Sequence, residues 1–182
     1  MSASYQTRYY HGSSPGVASS DVTGLTVRQK QADNDVQDTN FPVPLLATGL
    51  SFAWRKSSKM NWTTSPAGSI TNLRWFLSTL PPSGIRFFVR VQVAGIYIQA
   101  TVADQSGITG FTDTTSNQTA NDATAYTSSA PLTVNSGTVL SNPNTGEGTQ
   151  VFVETQLAVN SSYAGGPGVI TSFQVTYRYS ET

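Results

Sequence analysis

The chain has 182 residues, the size of one domain, and contains no cysteine. Disulfide frameworks, thiolate metal sites and cysteine nucleophiles are therefore excluded. Ten basic and ten acidic residues leave no net charge, so strong electrostatic attraction to nucleic acid is not expected, and no run of roughly 18 apolar residues predicts a membrane span.

The first 45 residues are poor in large aliphatic side chains and include the turn-forming run Gly12–Gly16 and the polar run Gln29–Asn40. The sequence Phe41–Pro44 predicts extended or polyproline geometry, because each proline fixes its own φ and keeps its predecessor out of the α region. We interpret residues 1–45 as an extended arm and residues 46–182 as a β-sandwich domain. The alternative is a loop-rich first quarter that folds over its own sandwich.

From Gly49 onward, apolar residues recur with the period of two that is typical of β-strands. The clearest run is Ile85–Val93, and Ile96–Val102 resumes it, which predicts a hairpin or, alternatively, one long strand with a glycine bulge. Further strands are predicted at 50–54, 73–77, 132–134, 138–140, 151–159 and 169–179. The two short runs are predicted to form a hairpin, and the last two runs an antiparallel pair.

These strands carry apolar residues on one face and mostly polar residues on the other. That alternation indicates antiparallel sheets packed face to face. The predicted fold is therefore all-β, an antiparallel β-sandwich that is jelly-roll-like and carries an extended N-terminal arm.

Few residues in the chain have the arrangement that catalysis or metal binding requires. The one histidine, His11, lies in a flexible-looking segment where nothing orients it, so a Ser-His-Asp triad is not expected. Asp33, Asp35 and Asp38 could offer oxygens to calcium, but the glycine and the bidentate glutamate of an EF-hand loop are missing. We expect no enzyme, and no catalytic, cofactor-binding or metal-binding residue.

Arg55, Lys56 and Lys59 form the only basic cluster in the sequence. Such a cluster could contact phosphates or stack on a base. Because three cations in a neutral chain are a weak signal for nucleic acid, we expect instead a surface that docks against an acidic neighbour.

The three tryptophans differ in their surroundings. Trp54 and Trp75 are in phase with apolar neighbours and are predicted to lie in the core. Trp62 stands between Asn61 and Thr63 in a polar stretch. It is predicted to be a surface ring, available to stack on a sugar.

The cysteine-free, charge-poor, Ser/Thr/Asn-rich composition, the extended Phe41–Leu46 segment and the hairpin over Ile85–Val102 resemble small β-sandwich proteins of tailed-bacteriophage virions, particularly capsid decoration or cement proteins. The resemblance implies a non-catalytic protein that binds the major capsid protein on the outer surface of the virion and stabilises subunit junctions. It also implies a homo-oligomer, with a trimer favoured. The alternative is a carbohydrate- or receptor-binding β-sandwich module of a phage tail fibre or other appendage, with a glycan as its ligand.

The residues expected to contact the partner form three groups, to which the ring of Trp62 is added. They are Tyr5, Tyr9 and Tyr10 of the arm, Phe41, Pro42, Val43, Pro44 and Leu45 of the proline segment, Arg55, Lys56 and Lys59 of the basic cluster, and Trp62. Several contacts across neighbouring capsid subunits would raise the binding strength through effective concentration and would favour the assembled lattice by mass action.

Overall fold

The computed structural model describes residues 3–12, 18–21, 23–24, 27–34, 36, 39–91, 97, 99–100, 121–134, 140, 152–165 and 172–182. The strands in this part of the chain are β1 (Ser4–His11), β2 (Ala18–Asp21), β3 (Leu50–Phe52), β4 (Lys56–Thr64), β5 (Ile70–Leu77), β6 (Ile85–Val91), β7 (Asn121–Asp122), β8 (Leu132–Thr133), β9 (Val153–Asn160) and β10 (Val175–Glu181). A short 3-10 helix follows β7 at Ala123–Ala125. The all-β prediction is confirmed, and no described helix is long and apolar enough to cross a membrane.

The strands form two antiparallel sheets. The larger sheet has the order β2-β1-β4-β9-β6-β7, with β3 also paired to β9, and the smaller sheet has the order β10-β5-β8. The described pairings are antiparallel, as the sequence predicts. The sheets pack face to face around one main hydrophobic core, so the sandwich is present, while its jelly-roll connectivity stays a prediction.

The core lies between β6 and β9 of the larger sheet and β5 and β10 of the smaller one. Trp75 of β5 is buried, as predicted, and its ring stacks on Phe87 of β6 with 6.4 Å between centroids. Trp54 is only half-buried. A polar link also crosses the core: the Tyr177 hydroxyl lies 3.1 Å from Ser58 Oγ, and burial raises the pKa of Tyr177. The packing of the apolar faces therefore holds the sheets together, and the contact between Ser58 and Tyr177 adds a hydrogen bond between them.

The first strand is part of the larger sheet. β1 pairs with β4 along most of its length, from Ser4 opposite Thr64 to Tyr10 opposite Ser57, and with β2 on its other side. For these residues the structure supports the alternative in which the first quarter of the chain folds with the sandwich. β1 was missed as a strand because its sequence, SYQTRYYH, contains no aliphatic residue.

One predicted strand pairing is wrong, and a second falls largely outside the described residues. β9 and β10 do not pair with each other, because β10 lies beside β5 in the smaller sheet and β9 lies between β4 and β6 in the larger one. Of the hairpin predicted from 132–134 and 138–140, residues 132–134 and Leu140 are described, and β8 and Leu140 each pair antiparallel with β5. Residues 135–139 lie outside the described residues.

β6 confirms the strand predicted over Ile85–Val93, from Ile85 to Val91, and it pairs with β9 on one side and β7 on the other. In the predicted second strand, Tyr97, Gln99 and Ala100 are described and lie in no strand. Residues 92–96, 98, 101 and 102 lie outside the described residues, so the hairpin and the bulged strand both stay predictions.

Gly84, at the turn before β6, requires the conformation that only glycine adopts easily. Its φ is 85°, and a Cβ at this position would lie 2.6 Å from Tyr163 Cα. Its carbonyl accepts a hydrogen bond of 2.8 Å from the Asn160 backbone N–H, which ties the turn to the end of β9. The backbones at Gly84 and Tyr163 can therefore approach closely only because glycine has no side chain.

We expect Gly84→Ala to lower the free energy of unfolding by roughly 2–4 kcal/mol, because left-handed strain of about 1–2 kcal/mol adds to a clash with backbone atoms. The matched control is Gly49→Ala, since Gly49 has a φ of 82° but nothing within 4 Å of the added methyl group. Urea unfolding of both variants measures the difference. Equal losses would show that the contact with Tyr163 contributes nothing.

Candidate functional site

Residues 31–34, 36 and 39–41, which we call the anchored loop, lie beside β3, and the two ends of the segment meet. Residues 35, 37 and 38 lie outside the described residues. The Gln31 N–H donates to the Phe41 carbonyl at 2.8 Å. The base of the loop is fixed to the strand, because Trp54 N–H donates to the Lys30 carbonyl at 2.9 Å and Gln31 Nε2 donates to the Phe52 carbonyl at 3.0 Å. Compact loops whose ends meet are frequent functional sites on rigid scaffolds.

Lys56, the first residue of β4, holds the anchored loop from inside the protein. Its side chain is 2% exposed, and Nζ donates to the carbonyls of Ala32 at 2.5 Å and Asn34 at 3.3 Å. Nζ also donates to the Tyr9 hydroxyl at 3.0 Å. A buried ammonium is costly unless its protons meet acceptors, so the position of the loop carbonyls is coupled to the position of this lysine.

A second lysine and one carboxylate complete the anchoring. Lys30 is buried and its Nζ donates to the Val36 carbonyl at 2.9 Å. The Asp33 carboxylate accepts from the Gly12 N–H at 2.9 Å and from Tyr9 and Gln99 side chains at 3.2 Å each. The hydrogen bonds run from Lys56 through the Tyr9 hydroxyl to Asp33, so β1, β4 and the loop are joined in one network.

The calcium hypothesis placed Asp33 beside Asp35 and Asp38. Asp33 is engaged by N–H and O–H donors, whereas residues 35 and 38 lie outside the described residues. Within the described part of the chain, no group of three or more histidine or acidic side chains is placed to hold a metal ion.

The outer surface of the anchored loop carries large apolar side chains. Phe41 is 60% exposed and Val36 is 51% exposed. Phe41 also has a φ of 54°, which is unusual for a bulky residue. In the segment that follows, Pro42 and Pro44 are exposed, Val43 packs against the main core, and Leu45 is half-buried. The proline segment is thus held by Val43 while its neighbours face solvent.

Comparisons with protein-family models, curated proteins and solved structures found no match. What the site can do therefore has to be inferred from its geometry. The geometry offers an anchored loop with two exposed apolar side chains, Val36 and Phe41, which are suited to contact with another macromolecule.

A second group of charged side chains is buried on the face of the larger sheet that points away from the main core. Arg90 Nε donates to Glu154 Oε2 at 2.5 Å, and Arg55 Nε lies 3.6 Å from Glu154 Oε1. Lys59 Nζ lies 4.0 Å from the centroid of the Phe152 ring. Both faces of this sheet are therefore buried, one by the sandwich core and the other around ion pairs and rings.

The expectation of an exposed basic surface is wrong. Arg55, Lys56 and Lys59 are all buried, because β4 lies inside a sheet that is covered on both faces. These cations serve the interior: Lys56 anchors the loop, and Arg55 shares Glu154 with Arg90.

The prediction of Trp62 as a surface ring is also wrong. Trp62 is 1% exposed and makes edge-to-face contacts with Tyr5 at 6.2 Å and Tyr179 at 5.2 Å. Alternation within β4 turns this ring toward the core although both sequence neighbours are polar. A ring so enclosed is not available to stack on a sugar.

The tyrosines predicted as arm contacts lie in β1. Tyr9 and Tyr10 are each 1% exposed, and Tyr10 packs edge-to-face on Phe152 at 5.2 Å. Tyr5 is half-buried. His11 lies at the end of β1, and its ring is 5.6 Å from the ring of Tyr9. The prediction that His11 lies in a flexible segment is therefore wrong. Of the three predicted groups, the proline segment Phe41–Leu45 retains exposed apolar side chains, and its binding to a partner stays a prediction.

Sequence reasoning missed the anchoring role of Lys30 and the pairing of Glu154 with Arg55 and Arg90. Glu154 and its two arginines are far apart in sequence, so no spacing could connect them. The sequence gives only a weak signal for the burial of Glu154. Glu154 stands between Val153 and Thr155 in a predicted strand, and an alternating strand with an exposed carboxylate would have the same sequence pattern.

We expect Lys56→Met to leave the sandwich folded and to loosen the anchored loop. Methionine fills a similar volume but donates no hydrogen bond, and bonds from a charged donor contribute about 1.5–3 kcal/mol. Hydrogen exchange of the Gln31 and Gly12 amides should accelerate by roughly 10- to 100-fold while exchange in β6 and β9 changes little. Thr63→Ala, an exposed change in the same strand, is the control, and unchanged protection of Gln31 would contradict the anchoring role.

We expect Glu154→Gln to lower the free energy of unfolding by about 3–5 kcal/mol, because two buried guanidinium groups lose the carboxylate that they share. Chemical denaturation measures the loss. Asp21→Asn is the matched control, since it removes one negative charge from an exposed residue of β2. A loss of the same size at both positions would argue against the buried cluster as its cause.

Proposed function

We propose that the protein is a non-catalytic structural protein that binds the outer surface of an assembled virion capsid and stabilises junctions between subunits of the major capsid protein. The observation that carries the proposal is Phe41, a large aromatic ring that is 60% exposed on backbone with a φ of 54°. For a residue other than glycine, this conformation costs about 1–2 kcal/mol. A partner that covers the ring would gain the favourable free energy of removing its apolar surface from water.

The anchoring of the loop supports this proposal. A flexible apolar loop loses conformational entropy when it binds, whereas a loop already held in place loses little. Lys56, Lys30 and Asp33 hold the backbone on one side of Phe41, and the prolines restrict it on the other. The exposed ring is therefore presented in one orientation.

Binding at subunit junctions gives a mechanism for stabilisation. A protein that binds the assembled lattice and not free subunits shifts the equilibrium toward the lattice. If the protein is a trimer, as the resemblance implies, three copies of the anchored loop act together and raise the effective concentration of each contact. Weak individual contacts then suffice for stable attachment.

The alternative function, carbohydrate or receptor binding, depended on Trp62 as a surface ring. The burial of that ring removes the observation that favoured it.

The test is co-sedimentation of the full chain with undecorated capsids of the virus in which it occurs. We expect the wild-type chain to bind and Phe41→Ser to bind roughly 30-fold more weakly, because about 2 kcal/mol of hydrophobic contact is lost. Phe41→Gly distinguishes the effect of the ring from the effect of the backbone conformation. Because glycine relieves the left-handed strain, this variant should be as stable as wild type or more stable. It should nevertheless bind as weakly as Phe41→Ser, because the ring is missing. A wild-type chain that does not sediment with the capsids would overturn the proposal.

A further inference from the structure

Two arginines lie directly opposite each other on the smaller sheet. Arg74 of β5 is paired in register with Arg178 of β10, and the neighbouring pair in the register is Trp75 with Tyr177. Trp75 and Tyr177 belong to the main core, so alternation along both strands places the two arginines on the outer face of the smaller sheet. Arg178 is exposed and Arg74 is half-buried. We call these two residues the arginine pair.

The arginine pair brings two like charges together. Like charges at directly opposed positions of antiparallel strands are destabilising, because their Cβ atoms lie only about 4.5–5.5 Å apart. Within the described part of the chain neither guanidinium forms an ion pair: Arg74 Nη1 donates to Thr133 Oγ1 at 2.6 Å, and Arg178 Nη1 donates to the Ser128 carbonyl at 3.5 Å. Glu181, the acidic residue of β10, accepts instead from two backbone N–H groups. The described residues therefore leave the repulsion uncompensated.

Three other arginines of the described chain are matched with carboxylates. Arg8 of β1 lies opposite Asp21 of β2 on the larger sheet. Inside the protein, Arg55 and Arg90 share Glu154. Opposite charges at those positions contribute to the fold of the chain itself. The arginine pair departs from this arrangement, which indicates that its carboxylate is supplied by another molecule.

The two guanidinium groups of the pair are held in position. The Arg178 guanidinium lies 5.7 Å from the centroid of the Phe76 ring, and that ring faces outward because Phe76 is in register with Thr176. Arg74 is held by its hydrogen bond to Thr133. A guanidinium fixed in this way loses little conformational entropy when it binds and can offer two parallel N–H donors to a carboxylate. The outer face of the smaller sheet thus presents donors that suit an acidic side chain.

We propose that the arginine pair is a second contact surface of the protein and that it binds an acidic segment of a capsid subunit through aspartate or glutamate side chains. This inference rests on the proposed function, since the partner is taken to be the capsid lattice. The argument is charge complementarity, because a carboxylate at this position would turn the repulsion of the pair into attraction.

The position of the pair also fits a role at subunit junctions. The anchored loop is attached to strands of the larger sheet, whereas the arginine pair lies on the outer face of the smaller one. A protein that stabilises a junction needs contacts with two subunits. Two surfaces on different sheets supply one contact to each, and the second contact gains from the effective concentration that the first one creates.

The test is co-sedimentation with undecorated capsids at low and high salt. At roughly 50 mM salt, Arg178→Gln should bind about fivefold more weakly than wild type, and the double variant Arg74→Gln/Arg178→Gln at least about tenfold, because charge-assisted hydrogen bonds are lost. Arg86→Gln, which removes one positive charge from a half-buried residue of β6, is the matched control and should bind like wild type. Between roughly 50 and 500 mM salt, wild-type binding should weaken at least about tenfold and binding of the double variant less than about threefold.

Urea unfolding at the same two salt concentrations tests the repulsion without any capsid. Salt screens the two guanidinium groups from each other, so it should raise the unfolding midpoint of wild type more than that of the double variant. The same measurement shows that each variant is folded. An equal rise for both proteins would mean that the pair is not under repulsion, and the inference would then be wrong.

The outcomes separate this inference from the proposed function. If Phe41→Ser loses binding while the double variant binds like wild type, the arginine pair is not a contact surface and the proposed function stands. Equal losses for Arg178→Gln and Arg86→Gln would show an effect of net charge and would also overturn the inference. A wild-type chain that binds no capsid overturns the proposed function, and the capsid contact of the arginine pair with it.

Discussion

The arrangement of the first quarter of the chain depends on the buried ammonium of Lys56. It joins three segments that are distant in sequence, namely β1 through Tyr9, the anchored loop through Ala32 and Asn34, and β4 itself. The dehydration of this ion is tolerable only while those oxygens surround it, so each segment constrains the other two. A segment too polar to form a hydrophobic core by itself is thereby fixed to the sandwich.

The burial of charge also determines the character of the surface. Five of the ten basic residues are buried, and they are Lys30, Arg55, Lys56, Lys59 and Arg90. A chain already poor in charged residues therefore exposes still fewer. Solubility of a neutral protein with apolar groups on its surface is limited by weak mutual repulsion, and coverage of those groups by a partner removes the limitation.

How far the sequence predicts the fold depends on what fills the buried positions of each strand. β5, β6 and β9 were found because Leu, Phe and Val alternate in them, and the period of two is visible locally. β4 was missed because three of its five buried positions hold Lys56, Ser57 and Lys59, and the burial of the two lysines depends on oxygens and rings supplied from distant segments. The same dependence hid the burial of Trp62, since its ring is covered by Tyr5 and Tyr179, which lie at opposite ends of the sequence.

The buried cations and the exposed apolar side chains of the anchored loop result from one arrangement. A docking loop needs a fixed backbone, and the strongest fixed contacts available to a polar backbone are hydrogen bonds from buried cations. Because the cations that supply them, Lys30 and Lys56, lie inside, the loop can expose Val36 and Phe41 while its backbone stays fixed. Phe41 shows the consequence, because its carbonyl is bonded inward to Gln31 while its ring points to solvent. Rigidity and apolar exposure normally oppose each other in a surface loop, and here buried lysines reconcile them.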